Sequence, residues 1–345
     1  MTISLFGTWN KTACSSSNEL SRPSSLEIHM ALYLVTGAAG FIGSAIVHEL
    51  VRRGERVRAI DNFATGKKAN IAEVLDQVEF QETDILNCPD LARACEQVDY
   101  VIHQAALPLV PLSIEDPVRT NEVNLNGTIN VLMAAHRAGV KRVVYASSCA
   151  AYGDGDIQPK REDMLPQPLS PYAVQKCAGE LYMSCFSKAY GLQTVSLRYF
   201  NVFGPRQEPS SPYSGVIARF ITSMLHGQPP TIFGTGEQTR DFSYVDNIVE
   251  ANLLAATAPA QNVVGRCVNI GSGDSISLNH LYTRIADVIG FNGRPCYSPP
   301  RPGDLLHSQA DISLMRDNLG LVQKVDCEEG LRLTVAWYKR SMETG

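Results

Sequence analysis

The run Thr36-Gly37-Ala38-Ala39-Gly40-Phe41-Ile42-Gly43-Ser44 constrains the fold of this chain more than any other stretch. The apolar, β-branched-rich segment Ala31 to Val35 precedes it and reads as a buried strand. Phe41, Ile42, Ala45, Ile46 and Leu50 then recur at helical spacing, and Gly54 follows as a stop signal. The glycines therefore sit on a strand-to-helix turn. Gly37 permits the tight turn, Gly40 lets backbone approach a pyrophosphate, and Gly43 lets the helix pack closely on the sheet. The N–H groups of Phe41 and Ile42 face forward at the positive end of that helix, where phosphate binds. A second strand, Arg56–Ile60, ends in Asp61, an acid placed to accept hydrogen bonds from ribose hydroxyls. The order of strand, glycine turn, helix, strand and acid predicts a dinucleotide site.

Past Ile60, short apolar runs continue to alternate with helical patterns. Strands read at Val78–Glu82, Tyr100–Gln104, Arg142–Ala146 and Thr194–Tyr199, with helices near Asp90–Gln97, Pro117–Ala138 and Pro171–Tyr190. Such alternation predicts an α/β fold, a Rossmann-type doubly wound parallel sheet. Ligands bind beyond the carboxyl ends of its strands, so informative residues should follow the strands. Asp84 and Ile85 follow the third, where an adenine edge would lie. Gln104, Ala105 and Ala106 end or follow the fourth, Ser148 the fifth, and Tyr199 and Asn201 the sixth. After Asn201, Pro and Gly become frequent, and the chain reads as a smaller α/β lobe covering that edge. Val268–Ile270 reads as one of its strands, and Glu328–Lys339 as a closing amphipathic helix. The expected division is residues 30–200 for the dinucleotide domain, with a returning segment near 236–262, and 201–345 mainly for substrate. Residues 1–29, polar and without periodicity, read as a disordered leader, with Met30 as an alternative start.

The whole-chain balance narrows the partners. A net charge of -5 argues against nucleic acid or anionic membrane, and no apolar run suits a spanning helix. Nine scattered cysteines without a C-x-x-C pair indicate neither a disulfide framework nor a metal site, and suggest a reducing, cytoplasmic setting.

Tyr172 and Lys176 lie four apart after Ser170-Pro171, at a helix start, so phenol and ammonium share a face. A neighbouring cation favours phenolate and is expected to lower the tyrosine pKa, giving a base usable near neutrality. Ser148 can hydrogen-bond the same substrate hydroxyl.

Gly37, Gly40 and Gly43 together with Ser148 and Tyr172-x-x-x-Lys176 resemble the extended short-chain dehydrogenase/reductase superfamily. Further matches are Asp61-Asn62-Phe63, Asn124-Leu125-Asn126-Gly127, Leu197-Arg198-Tyr199-Phe200-Asn201, the stretch Gly234 to Phe242, and Arg301-Pro302-Gly303-Asp304. Within it the chain is most similar to UDP-hexose 4-epimerases. The resemblance implies bound NAD, a UDP-sugar substrate and a homodimer, with the Pro117–Ala138 and Pro171–Tyr190 helices pairing across it. It adds Asn62, Asn124, Tyr172, Lys176 and Tyr199 to the cofactor site, and Ser148, Asn201, Val216, Arg240, Arg301, Asp304 and Ser308 to the substrate site. The implied mechanism is transient oxidation at C4. Tyr172 takes the hydroxyl proton, hydride goes to the nicotinamide, and it returns to the other face of a turned 4-keto sugar.

The competing readings are a UDP-glucuronate 4-epimerase, an NDP-sugar 4,6-dehydratase or decarboxylase, and a non-catalytic NAD sensor. Dehydratases carry Asp-Glu where Cys149-Ala150 stands here, which cannot do that acid–base work. Asp61 would repel a 2′-phosphate, so NAD is expected over NADP. In the resembling epimerases the position of Ser308 gates the sugar C2 substituent, and a serine there implies room for an N-acetyl group. Pro108-Leu109 and Ala150 lack the polar partners of hexosamine specialists, so dual specificity is expected.

Overall fold

The computed structural model describes residues 30–209, 215–300 and 306–344; the leader lies outside them. Strand β1, Leu32–Thr36, is buried along its whole length. Its side chains alternate between two cores, as a strand's period of two requires. Leu32 and Leu34 join one cluster, with Leu91, Val131, Met183 and Phe186. Tyr33 and Val35 join the other, with Ile46, Leu50, Ile248 and Val249. A strand covered on both faces must read as a continuous apolar run, and this one does.

Around it stand β2 (Arg56–Asp61), β3 (Glu79–Glu82), β4 (Tyr100–His103), β5 (Arg142–Ser148), β6 (Gln193–Tyr199) and an outer strand, Arg266–Ile270. The order across the sheet is outer strand, β6, β5, β4, β1, β2, β3, and every pairing is parallel. The strand order reverses direction between β1 and β4, which is where such a sheet opens a crevice for a ligand. The outer strand corrects the sequence reading. Val268–Ile270 belongs to the main sheet, in register with Leu197–Tyr199, and not to the second lobe. Val268 and Ile270 are buried there. The returning segment thus extends to Ile270 and includes a helix packed on the glycine-turn side of the sheet.

The helices are α1 (Phe41–Arg52), α2 (Cys88–Ala94), α3 (Val110–Glu115), α4 (Pro117–Asn121), α5 (Gly127–Arg137), α6 (Pro171–Tyr190), α7 (Val216–Leu225) and α8 (Val245–Thr257). α8 packs on α1. The expected helix over Pro117–Ala138 is instead α4 and α5 joined by a π turn, Glu122–Asn126. The wider turn carries Asn124 inward, where it is 1% exposed. Its oxygen accepts from Leu107 N at 2.7 Å, and its amide donates to Leu107 O and to Gln175 Oε1 at 2.8 Å. Asn124, expected at the cofactor, thus braces the loop after β4 against α6. The helix expected over Asp90–Gln97 lies earlier, because Asn87 caps it by accepting from Asp90 N. The closing helix runs over Cys327–Thr344, longer than expected.

Smaller sheets form the second lobe: Thr231–Phe233 with Cys296–Ser298, and Thr239–Arg240 with Ile276–Ser277. Val202–Phe203 and Ser243–Tyr244 pair just beyond β6 and tie this lobe to the sheet.

Candidate active site

The glycine turn is closed by contact. Gly37 has φ +67°, and a Cβ on it would lie 2.7 Å from Ala105 N. A Cβ on Gly43 would lie 2.0 Å from Gly37 O. Only bare backbone fits between β1, α1 and the loop after β4. α1 has no side-chain cap and no acid in its first turn, so the N–H groups of Phe41 and Ile42 are left for an anion. This cradle fits the pyrophosphate of a dinucleotide.

Asp61 sits 22 residues from the turn it holds. Its Oδ2 accepts from Ala39 N at 2.8 Å and its Oδ1 from Phe63 N at 2.7 Å. It is 7% exposed, and burial pushes its carboxyl pKa up against those two bonds. The acid expected to hold ribose therefore also pins the phosphate turn, leaving its remaining lone pairs for hydroxyls. Asn62 donates to Asp84 Oδ2 at 2.9 Å, and Asp84 Oδ1 accepts from Leu86 N. Ile85 is buried against Gly127. At the other end of the crevice, Gln104 Nε2 donates to the Tyr199 hydroxyl at 3.0 Å and to Asn252 Oδ1 at 3.1 Å. Ala105 N donates to Thr36 Oγ1, which also meets the buried His103 ring. Ala106 follows in the same loop. Asn252, on α8, carried no local sequence signal; 53 residues separate it from Tyr199.

On the opposite side of the crevice, Ser148 ends β5 and α6 begins at Pro171. Ser170 caps α6 by accepting from Ala173 N, and Tyr172 N donates to Ser113 Oγ of α3. These bonds aim the phenol toward Ser148, whose hydroxyl favours its ionised form. Lys176 is 3% exposed. Its Nζ donates to Ala146 O at 2.8 Å and stands 5.8 Å from the centre of the Tyr172 ring. The structure thus brings Ser148, Tyr172 and Lys176 to one place. The expected pKa shift has the opposite sign in the protein alone. Burial pushes the Tyr172 phenol up to about 12, opposed by the Ser148 hydroxyl. Burial likewise pulls the Lys176 ammonium down to about 8, with Glu180 opposing. Loss of water is the largest influence on both groups.

The second lobe brings its residues to the same place. Asn201 Nδ2 donates to Asp241 O at 3.0 Å, and Arg240 Nη1 to Thr239 O at 2.8 Å. Cys149 links the halves: burial pushes its thiol up to about 11, with Asp241 and Arg240 acting on it by charge. Asp241 itself was not singled out in the sequence, yet it is fully buried. It accepts from Ser272 N and Oγ, Gly273 N and Ala310 N. Ser308, two residues before Ala310, is 4% exposed. Its segment is held to the Arg240 strand by Thr239 N donating to Leu306 O at 2.9 Å. Val216 opens α7 half-buried. Arg301 and Asp304 lie outside the described residues.

A family model described as the NAD dependent epimerase/dehydratase family matches residues 33–271. The chain belongs to this family. It is 40% identical over 316 residues to a protein of Methanocaldococcus jannaschii named putative UDP-glucose 4-epimerase, covering 91% of this chain and all of that one. A solved UDP-N-acetylglucosamine 4-epimerase from Methanobrevibacter ruminantium M1, in complex with UDP-N-acetylmuramic acid, superimposes with a TM-score of 0.87 at 39% identity. The match covers 91% of this chain and 99% of that one. The UDP-glucose 4-epimerase of Thermus thermophilus, in complex with NAD, gives a TM-score of 0.80 at 39% identity, over 89% and 99%. Like these family members, the chain carries the parallel α/β sheet; no helix among the described residues is long and apolar enough to cross a membrane.

Proposed function

We propose that this chain is an isomerase, an NAD-dependent UDP-hexose 4-epimerase that acts on UDP-glucose and UDP-galactose and also accepts their N-acetylated forms. The observation that carries the reading is the Ser148–Tyr172 hydroxyl pair beside the Lys176 ammonium, across the crevice from the glycine cradle. The cradle, the N-terminus of α1, Asp61 and the backbone at Ala105 would hold the dinucleotide. When bound, NAD supplies a reversible acceptor for the hydride at the sugar C4.

The protein's own residues then move the proton. Tyr172 accepts the C4 hydroxyl proton on its phenolic oxygen, and Ser148 steadies that hydroxyl while the proton passes. A phenol held near 12 is a poor base at neutral pH. Lys176, charged below about 8, lowers the cost of forming phenolate. The positive charge of an oxidised nicotinamide adds to this when the cofactor is present. Asp61, already holding two backbone N–H groups, would repel a 2′-phosphate by its charge, so NAD is favoured over NADP. Arg240 and Asn201, with Arg301 and Asp304, are assigned to the nucleotide and diphosphate, and Ser308 to the space beside C2.

The test is direct. Purified protein is scanned for bound NAD and mixed with UDP-galactose. Appearance of UDP-glucose in the wild type, and a loss of at least ~10²-fold in the Tyr172→Phe variant with NAD still bound, is the expected result. Near-normal kcat in that variant overturns the assignment.

A homodimer through α4 and α6 is part of the same proposal. Val118 is 72% exposed, and Val174 and Leu181, two turns apart on α6, are 52% and 72% exposed. An apolar stripe of this kind favours a covering partner, and light scattering should report twice the chain mass. The eight cysteines among the described residues are all free thiols, which suits a reducing, cytoplasmic setting.

A further inference from the structure

Tyr172, Lys176 and Glu180 succeed one another at four-residue steps on α6 and so share one face. Glu180 is turned inward. Its Oε1 accepts from Ser147 Oγ at 2.5 Å and from Arg198 Nε at 2.8 Å. Its Oε2 accepts from Arg198 Nη2 at 2.6 Å. The Arg198 and Glu180 side chains are 4% and 10% exposed. Ser147 precedes Ser148 on β5, and the residue before it, Ala146, receives the Lys176 bond. One buried carboxylate is thus tied to the strand end that presents Ser148 and sits one turn from Lys176.

Resting on the roles proposed above for Tyr172 and Lys176, we propose that Glu180 is a positioning residue of this site. Its carboxylate is the counter-charge that keeps Lys176 an ammonium, and it anchors the strand end that carries Ser148.

The surroundings of Lys176 support this. From β5, the Tyr145 ring lies 4.9 Å from Nζ. From β4, His103 is buried and held neutral by burial and by Lys176 itself. From α6, Cys177 and Tyr172 are neutral at pH 7, because burial pushes both up. Cys149, after β5, and Cys267, on the outer strand, are raised in the same way. Arg198, from β6, is a cation and grips the far side of the carboxylate. Among the described residues, Glu180 is the one acid that acts on the Lys176 ammonium. A buried amine without a nearby anion gives up its proton. It would then no longer stabilise phenolate on Tyr172.

The experiment is the pH dependence of kcat for UDP-galactose epimerisation by the holoenzyme. In Glu180→Gln, the alkaline limb should move to lower pH by roughly one unit or more. KM should stay within about twofold, because the sugar and diphosphate contacts are untouched. Glu180→Asp should restore part of the limb. Because the glutamine leaves Arg198 buried without its partner, a second variant combines Glu180→Gln with Arg198→Met. It removes both buried charges and should show the same shift. An unmoved limb in both variants, with Tyr172→Phe inactive, overturns the role of Glu180 alone. An active Tyr172→Phe overturns the reading of the site on which it rests.

Discussion

Replacing Lys176 by methionine should make the protein inactive and, at neutral pH, more stable. Folding lowers the pKa of this buried amine from an ordinary 10.5 to about 8. At about 1.4 kcal/mol per pH unit, that costs the folded state about 3 kcal/mol while the amine is charged in both states. Methionine fills nearly the same length without a charge. It forfeits the bond to Ala146 O, which contributes about 1 kcal/mol. The net expectation at pH 7 is a gain of about 2 kcal/mol, against complete loss of epimerisation. The sign with pH follows from linkage. The folded pKa lies below the unfolded one, so between 8 and 10.5 the unfolded chain binds more protons and wild-type stability rises with pH. The variant lacks this rise, so its advantage should vanish by about pH 10. Urea unfolding of both nucleotide-free proteins at pH 7 and pH 10 measures it. A variant less stable than wild type at pH 7, or an offset equal at the two pH values, would refute the reasoning.

Two other outcomes test different parts of the molecule. Gly43→Ala places a methyl 2.0 Å from Gly37 O, which is backbone and cannot turn aside. It should cost roughly 1–3 kcal/mol and empty the purified protein of NAD. Gly127→Ala meets only the end of the flexible Ile85 side chain and should cost less; equal NAD content in all three proteins would contradict the cradle. Ser308→Tyr should suppress turnover of UDP-N-acetylgalactosamine far more than that of UDP-galactose. An equal fall for both substrates, measured by coupled assay, removes Ser308 from the gate.

What the sequence determined by itself is everything that depends on neighbours within a few residues. The glycine turn between β1 and α1, the Ser170-Pro171 start of α6, and the shared face of Tyr172 and Lys176 all follow from backbone sterics and helical period. So does the alternation that makes the sheet parallel. The tertiary structure decided what depends on distant chain. The Val268–Ile270 strand reads equally well in either lobe, and only its edge beside β6 assigned it. Asn124 reads as an ordinary helical residue, and only the π turn carries it inward. Asp241 and Asn252 find their partners across 31 and 53 residues. The direction of the Tyr172 shift belongs to the same class. The cation four residues away is written in the sequence, but the burial that raises the phenol is supplied by segments from across the chain. Desolvation sums over everything that packs around a group, and no local spacing encodes that sum.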